Sequence, residues 1–366
     1  CALREPGAQS GVRYHPASLG DRDCDRGRRP PATLRVGTCG SRQVGSEPVD
    51  VVLTGSIAFD YIMRFPGRFG EHILPNRLDS LSLSFLVDTL DKRRGGIAAN
   101  IAYSMALLGE RPRIMATVGE DFEPYGRFLQ SIGVQTAEIK IIPGIHSASF
   151  FVTTDAVDAQ IASFYTGAMS HAAELRVADL EPRPELVLIS PNDPRAMVSY
   201  ASECQQLGIA YFYDPSQQIL RLAGPELERG IAGAEALFVN DYELALILDK
   251  TSLTLAKIAE RTRFTVITRS ELGSELITRD GRVQIPAVQP KAAAEPTGVG
   301  DAYRAGFLKG YIHQFPLECC GRMGALAATY CLESLGPQGQ QYDLGDFVSR
   351  FEQEFGSECG LKQRLR

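Results

Sequence analysis

From residue 186 onward, short apolar runs alternate with helical patterns, and this alternation restricts the fold more than any other feature of the sequence. The apolar runs cover residues 186–190, 209–213, 237–239 and 264–267, and helical patterns separate them. Because the connections are short, consecutive strands have to be parallel and joined by helices on the faces of one sheet. The sequence therefore predicts an α/β fold with a central, mostly parallel sheet flanked by helices.

The region before residue 186 adds a first strand and a different kind of sheet. Residues 51–56 form a short apolar run that predicts a buried strand, and Asp60 follows near its carboxyl end, where open α/β sheets bind ligands. Residues 61–90 and 147–165 instead alternate polar and apolar side chains. Such alternation is typical of half-exposed antiparallel strands, so these two segments are predicted to form a small β-sheet lid.

The segment 295–306 combines two glycines with a carboxylate at the start of a helical pattern. The run Gly298-Val299-Gly300 directly precedes Asp301, which is therefore predicted to lie in the first turn of a helix. The free amides of Gly298, Val299 and Gly300 could hold a phosphoryl group while Asp301 accepts the proton of an attacking hydroxyl. An acidic N-cap on a glycine turn would look the same, and a short Gly-x-Gly run alone does not decide between them.

Two motifs in this sequence resemble the signatures of a known family. Residues 296–302 (PTGVGDA) resemble the second signature of the ribokinase-like (PfkB) carbohydrate and nucleoside kinases, and residues 95–100 (GGIAAN) resemble the first. Residues 114–121 (IMATVGED) also resemble the V-G-x-D turn of that family. The resemblance covers about residues 49–355. It implies a ribokinase-like fold, ATP and Mg²⁺ as cofactors, and a nucleotide site that includes Gly298 and Gly300.

The resemblance also assigns residues at the ends of the later strands. Asn240 and Glu243 match the N-x-x-E motif that acts on hydrated Mg²⁺ and the nucleotide phosphates, although an Asn cap with a capping-box Glu fits equally well. Thr268 and Gly273 match a nucleotide-binding loop, T-x-G-x-x-G, in which Ser270 replaces the first glycine. The nucleotide contacts of that loop are consequently open.

Glu295 stands where the family's second signature usually begins with Asp. In the family this position is tied to a monovalent-cation site. Activation by K⁺ is therefore possible but not implied.

Further segments resemble the bacterial adenosine kinases of this family: residues 55–60, 63–69, 82–88, 160–165 and 214–218. The implied reaction is ATP-dependent phosphorylation of the 5′-hydroxyl of adenosine to AMP, a purine-salvage step. The implied contacts to the ribose hydroxyls are Asp60, Gly96 and Asn100, assisted by Ser56 and Ser84. Phe150 and Phe164 would contact the two faces of the base. Gln217 and Gln218 would contact the purine edge.

Other interpretations remain open at this point. The chain could phosphorylate a free sugar such as ribose or fructose, or it could be a catalytically silent relative that binds a nucleoside. Without the family match, the two phenylalanines would be read as ordinary lid core. No G-x-G-x-x-G follows the first strand, so a dinucleotide oxidoreductase is disfavoured.

Composition and charge limit the partners. The chain has 366 residues, a net charge of −6 and a pI near 5.6, which argue against nucleic acid or an anionic membrane as the main partner. No apolar run has the length of a membrane span. The eight cysteines lack C-x-x-C spacing, so we expect reduced thiols and a cytoplasmic protein.

The two ends of the chain and the assembly complete these expectations. Residues 1–48 contain Arg but no Lys, are rich in Gly and Pro, and show no apolar period, so we expect a disordered extension outside the core. An Arg-rich targeting segment is the alternative. Residues 49–355 are expected to form the kinase domain and residues 356–366 a C-terminal tail. The resemblance also implies a homodimer that forms through the lid.

Overall fold

The structure is a computed structural model that describes residues 49–365 except Leu74 and Leu81. The prediction for residues 1–48 lies outside this range. The strands are β1 Val51–Thr54, β2 Ala58–Arg64, β3 Thr89–Gly95, β4 Arg113–Val118, β5 Ile139–Ile141, β6 Ala148–Thr154, β7 Gln160–Tyr165, β8 Leu186–Ile189, β9 Ala210–Tyr213, β10 Ala236–Asn240, β11 Phe264–Thr268, β12 Ser274–Thr278 and β13 Gly281–Ile285. The α-helices are α1 Phe69–His72, α2 Ile97–Leu107, α3 Glu123–Ser131, α4 Pro194–Leu207, α5 Gly224–Ile231, α6 Asp241–Lys250, α7 Leu255–Arg261, α8 Val299–Ile312, α9 Leu317–Leu332, α10 Leu344–Phe355 and α11 Leu361–Arg364.

Nine of these strands form the large sheet, in the order β13-β12-β11-β10-β9-β8-β1-β4-β5. The pairs from β5 to β11 are parallel, whereas β12 and β13 add to the edge as antiparallel strands. Every residue of β1 and β8 is buried, as expected for parallel strands covered on both faces. The predicted fold class, a ribokinase-like α/β sheet with a second small sheet, is confirmed.

Two hydrophobic layers lie on opposite faces of the large sheet. Within β1, Leu53 belongs to one layer and Val52 to the other, because successive side chains of a strand point to opposite faces. The helices divide accordingly: residues of α2, α8, α9 and α10 fill the first layer, and residues of α4, α5, α6 and α7 fill the second. The sheet therefore sits between two helical layers, with the carboxyl ends of its parallel strands meeting at one edge.

The small sheet, which we call the lid sheet, has the order β3-β2-β6-β7. Its register aligns Arg93, Asp60, Phe150 and Phe164 in one cross-strand row. Neighbouring residues in such a row share one face of the sheet. The row brings a lid carboxylate and two aromatic rings onto the same face.

One strand prediction in the lid is wrong. Residues 82–85 alternate as a strand would, yet the structure has no strand there, and the segment that pairs with β2 is β3. Phe85 packs against Phe65 and Phe69, with ring centroids 4.9 and 4.8 Å apart. Phe85 of the alternating segment thus belongs to a local aromatic cluster instead of a strand.

The expectation that all cysteines are reduced is also wrong for one pair. Cys319 at the start of α9 and Cys359 just before α11 form a disulfide, with Cα atoms 5.9 Å apart and a sequence separation of 40 residues. Pairing at that separation depends on how the C-terminal segment folds back on α9, which cysteine spacing does not reveal. Cys204, Cys320 and Cys331 are buried free thiols.

The C-terminal segment contacts the core of the domain. Leu361 and Leu365, near the C-terminus, are buried against the first hydrophobic layer. Within residues 49–365, as far as they are described, no helix is long and apolar enough to cross a bilayer.

Candidate active site

The glycine-rich turn before α8 has the geometry that the sequence predicts. Gly298 is the N-cap of α8 with a left-handed backbone (φ 81°), and Asp301 lies in the first turn. A Cβ at Gly298 would lie 2.4 Å from the side chain of Pro337, so both the conformation and the packing require glycine. The carboxylate is therefore held at the positive end of the helix dipole.

The amides of this turn are not equally free. Helix geometry leaves the N–H groups of Gly300 and Asp301 without an intrahelical acceptor. The N–H of Val299, in contrast, donates to the carbonyl of Pro296 at 3.3 Å. The amides that can receive an anion at this turn are thus mainly those of Gly300 and Asp301, whereas Val299 closes the turn.

The carboxyl of Asp301 has an unusual environment. Burial raises its pKa to about 6, against the opposing effects of the Arg304 guanidinium and of a hydrogen bond from Asn100. In that bond, Nδ2 of Asn100 donates to Oδ2 at 2.9 Å. A carboxyl with this pKa is ionised at neutral pH yet is a stronger base than an ordinary aspartate, which suits proton abstraction from a hydroxyl.

Arg304, one helical turn after Asp301, was missed by the sequence analysis. Its guanidinium donates to the carbonyl of Gly300 at 2.9 Å and to Asp214, at the end of β9, at 2.5 Å. Arg304 is almost fully buried, and a buried arginine is rare unless it is paired. In the sequence, the available signal was a charged residue between the apolar residues Tyr303 and Ala305 of the predicted helix. Arg304 ties the start of α8 to the carboxyl edge of the large sheet.

Asp60 on β2 faces the same site from the lid. Burial raises its pKa to about 6, the negative charges of Glu295 and Asp301 add to this, and Arg93 opposes it. The charge of Asp301 acts on Asp60, so the lid carboxylate and the helix carboxylate lie near each other. This brings together two of the residues that the sequence analysis assigned to binding and catalysis.

The first-signature residues form the turn between the lid and α2. Gly96 has φ 94°, and a Cβ there would lie 2.5 Å from the backbone nitrogen of Ala58, so this position also requires glycine. Oγ of Ser56 accepts a hydrogen bond from the N–H of Ile97 at 3.1 Å. Ser56 thus stabilises the start of α2.

An ion pair joins the lid to the glycine-rich turn. Arg93 on β3 donates to Glu295 at 2.7 Å, and the same carboxylate accepts from the N–H of Gly336 at 3.1 Å. Glu295, the position that the family resemblance ties to a monovalent cation, therefore pairs with a guanidinium from the lid. Dependence on K⁺ stays a prediction.

Three further residues predicted to contact the substrate, Phe150, Phe164 and Ser84, lie in or beside the lid sheet. Phe150 is half-buried and Phe164 is 47% exposed, both in the row that contains Asp60. Ser84 lies in the exposed loop before β3.

The two glutamines occupy a 3₁₀ helix, Ser216–Leu220, in which Gln217 is exposed and Gln218 is buried. Two sets of hydrogen bonds join this helix to α6: Ser216 donates to Glu243, and Lys250 donates to the carbonyls of Ile219 and Leu220. Gln217 and Gln218 thus lie beside the predicted metal pair, and their predicted role at the purine edge stays a prediction.

Asn240 and Glu243 form the capping box that the sequence allowed as an alternative. Oδ1 of Asn240 accepts from the N–H of Glu243 at 2.7 Å, and Oε2 of Glu243 accepts from the N–H of Asn240 at 2.8 Å. Oε1 of Glu243 accepts from Ser216 at 3.0 Å. These oxygens keep further lone pairs, so the pair fits contact with the waters of a hydrated Mg²⁺. Among the described residues, no three His, Cys, Asp or Glu side chains cluster as direct metal ligands.

The predicted nucleotide loop has a positive φ at both Ser270, which replaces a glycine, and Gly273. Ser270 has a left-handed backbone (φ 48°), the conformation for which glycine is the usual residue. Gly273 has φ 84°, and a Cβ there would lie 2.0 Å from the carbonyl oxygen of Ile285. Thr268 ends β11 just before this loop. The turn therefore has the backbone of a glycine loop with a serine hydroxyl added.

A mostly parallel sheet with a carboxylate at a helix N-terminus and a small sheet beside it is the arrangement of ribokinase-like proteins. The model of the pfkB family carbohydrate kinases matches residues 56–342. The chain belongs to this family.

Individual relatives agree with that membership. A nucleoside kinase of Methanothermobacter thermautotrophicus is 30% identical over 86% of this chain and 99% of its own length. The nucleoside kinase of Burkholderia thailandensis, solved in complex with inosine, is 37% identical with a TM-score of 0.75, covering 84% of this chain and 98% of that one. Another of its structures is a complex with ADP-inosine.

The adenosine kinase of Sinorhizobium meliloti is similar in fold alone. It is 22% identical with a TM-score of 0.65, over 84% of this chain and 99% of that one. The resemblance to adenosine kinases in particular is therefore supported only as membership of the wider family.

Proposed function

We propose that this kinase transfers a phosphoryl group from ATP to the 5′-hydroxyl of a purine nucleoside, with adenosine among its acceptors and AMP and ADP as products. The observation that carries the proposal is the cross-strand row of Asp60, Phe150 and Phe164 on one face of the lid sheet, with Asp60 close enough to Asp301 for their charges to interact. A carboxylate binds ribose hydroxyls, whereas two partly exposed rings offer a flat apolar surface to a base. A free sugar would leave those rings uncovered.

The chain's own groups divide the work of the transfer. Asp301 accepts the proton of the 5′-hydroxyl, and the amides of Gly300 and Asp301 stabilise charge on the phosphoryl group. ATP supplies that group when bound, and Mg²⁺, held through its waters by Asn240 and Glu243, would neutralise the phosphates. Arg304 keeps the turn in place through its bond to the carbonyl of Gly300. Lid residues exclude water from the cleft.

The comparisons favour a nucleoside over a free sugar. The Methanothermobacter relative is a nucleoside kinase, and the Burkholderia protein has been solved with inosine. These are properties of those proteins. They support the class of acceptor proposed for this chain and leave adenosine against inosine to experiment.

The test is ADP release with ATP and a panel of adenosine, inosine, cytidine, ribose and fructose. We expect kcat/KM for purine nucleosides to exceed that for free sugars. The double variant Phe150→Ala with Phe164→Ala should remove most of this difference. Phe85→Ala, which disrupts a lid aromatic outside the row, is the matched control. A preference for ribose or fructose would establish a sugar kinase instead, and no turnover with any acceptor would indicate a silent binding protein.

A further inference from the structure

Tyr125 and Gln338, which the sequence analysis did not single out, connect a backbone carbonyl to Asp301 through an unbroken series of hydrogen bonds. The series runs from the carbonyl of Gly95 through Tyr125, Gln338 and Asn100 to Asp301. Its members come from the first-signature turn, α3, the loop after α9, α2 and α8. No two of them are neighbours in sequence.

The direction of every bond in the series follows from its first acceptor. A backbone carbonyl cannot donate, so the Tyr125 hydroxyl has to donate to the carbonyl of Gly95, at 3.0 Å. The hydroxyl oxygen then accepts, and Nε2 of Gln338 donates to it at 2.5 Å. This bond determines which end of the Gln338 amide carries the N–H groups, because only the nitrogen can donate.

The same nitrogen determines the orientation of the next amide. Nε2 of Gln338 also donates to Oδ1 of Asn100 at 2.9 Å. Since Oδ1 is thereby engaged, Nδ2 is the end of the Asn100 amide that faces Asp301, where it donates to Oδ2 at 2.9 Å. Tyr125 and Asn100 are only 1% and 5% exposed, so water competes little for these bonds.

We propose that Tyr125 and Gln338 are positioning residues that hold the Asn100 amide with its N–H toward Asp301, and that they thereby keep Asp301 in its carboxylate form. The proposal rests on the role of Asp301 as the base in the proposed function. It assigns Tyr125 and Gln338 no contact with substrate.

The energetic reason lies in what a reversed amide would do. Reversal would turn Oδ1 of Asn100 toward the carboxylate, and the repulsion between two acceptors would favour the protonated acid. As it stands, the hydrogen bond from Asn100 lowers the pKa of Asp301 against the larger effect of burial.

Other charged or titratable groups also face Asp301. They are Arg304 on α8, Asp60 on β2, Asp214 after β9 and Cys331 on α9. None of the substitutions below replaces any of them.

Three variants test the proposal in the full-length protein. Gln338→Met removes both donors while keeping the length of the side chain, Tyr125→Phe removes the anchor while keeping the ring, and Gln338→Glu offers acceptors in place of donors. The quantity measured is the acid limb of the kcat–pH profile. We expect Gln338→Glu to move it to higher pH by about one unit, a roughly fivefold loss of kcat at pH 6. Gln338→Met and Tyr125→Phe should move it by about half a unit in the same direction.

The uncharged variants separate reorientation from charge. A new carboxylate at position 338 would by itself raise the pKa of Asp301, but Met and Phe carry no charge. The matched control is Gln340→Glu, in the same loop, because Nε2 of Gln340 donates to Ser104 at 3.0 Å and not to the series. We expect the control to leave the acid limb unchanged.

A second readout does not depend on activity. The ¹³C resonance of the Asp301 carboxyl, assigned by its loss in Asp301→Asn, reports its pKa in the ligand-free protein. An upward shift in the variants of a protein that phosphorylates nothing would uphold the positioning role and overturn the proposed function. If Gln338→Met and Tyr125→Phe, folded by circular dichroism, leave this pKa unchanged, or if Gln340→Glu raises it equally, the positioning role is wrong.

Discussion

At the scale of single residues, the site depends on one carboxyl that is buried enough to be basic and paired enough to stay ionised. Burial raises the pKa of Asp301, while Arg304 and Asn100 oppose the rise. Arg304 forms an ion pair with Asp214, and its charge also acts on Asp301. Because these effects oppose one another, the pKa of Asp301 should respond measurably to the loss of any one of them.

Asp301→Asn should keep the shape of the site but lose the base. We expect kcat to fall by roughly 10² to 10⁴ with little change in nucleoside affinity, because ribose binding is assigned to Asp60. Asp60→Ala should instead weaken nucleoside binding strongly, since a buried hydroxyl contact is lost. Isothermal titration and turnover of both variants separate the two roles. Near-normal turnover of Asp301→Asn would rule out Asp301 as the base for phosphoryl transfer.

The raised pKa of Asp301 also predicts how stability depends on pH. A carboxyl whose pKa is raised in the folded state stabilises the fold below the unfolded value near 4, and this contribution is lost as pH rises through about 6. Asparagine resembles the protonated acid at every pH. We therefore expect Asp301→Asn to melt at a higher temperature than the parent at pH 8 and at nearly the same temperature at pH 4. Melting curves that differ by the same amount at both pH values would contradict the raised pKa.

Sequence reasoning identified the residues of this site that belong to short motifs and missed those that reach it through the fold. Asp301, Gly298 and Gly96 are recognisable because glycines at fixed spacing precede a helical pattern. Arg304 and Gln338 carry no such mark, because their roles depend on partners that lie far away in the sequence.

At the scale of elements, the lid and the glycine-rich turn are joined by the ion pair between Arg93 and Glu295. β3 supplies the arginine and the segment before α8 supplies the glutamate, so the pair links the lid sheet to the start of α8. The two charges act on Asp60 in opposite directions, since Glu295 raises its pKa and Arg93 lowers it. The strand pairing that brings Arg93 beside Asp60 was not predictable, because the alternation of residues 82–85 suggested a different lid strand.

Variants of this pair should therefore move the pH profile in opposite directions. We expect Arg93→Met to shift the acid limb of kcat/KM to higher pH and Glu295→Gln to shift it to lower pH, because each leaves one charge acting alone on Asp60. The double variant should lie close to the parent. Arg94→Met is the control, since Arg94 stacks on Phe128 instead of pairing with Glu295. Shifts of the same sign in the two single variants would show that the ion pair acts only through the position of the lid.

At the scale of the whole molecule, the large sheet was predictable and the exposed faces were not. Buried parallel strands are recognisable in a sequence as continuous apolar runs between helices, and β8 and β10 are examples. The disulfide between Cys319 and Cys359, the 3₁₀ helix of Gln217 and Gln218, and the edges of the lid depend on how distant segments meet. Local sequence patterns carry little information about contacts between segments that are distant in the sequence.

The lid sheet has a second face, opposite the row of Asp60, that exposes a group of large apolar side chains. We call Leu90, Phe151, Ile161 and Tyr165 the outer lid face; they alternate with the cleft-facing residues in the register and are between 37% and 63% exposed. Exposed apolar groups of this kind mark interaction sites, and a second copy of the chain would cover such a self-complementary surface by twofold symmetry. The homodimer expected from the family resemblance would use this face.

We therefore predict that the protein is a dimer at micromolar concentration and that Phe151→Glu with Ile161→Glu makes it monomeric, since two carboxylates would be buried in the interface without partners. Sedimentation equilibrium measures the change directly. Leu220→Glu is the matched control, because Leu220 is also exposed but lies on the 3₁₀ helix beside α6. If the parent sediments as a monomer, or if Leu220→Glu dissociates the dimer as readily, the outer lid face is not the interface. A monomeric double variant that keeps its turnover would further show that each cleft is complete within one chain.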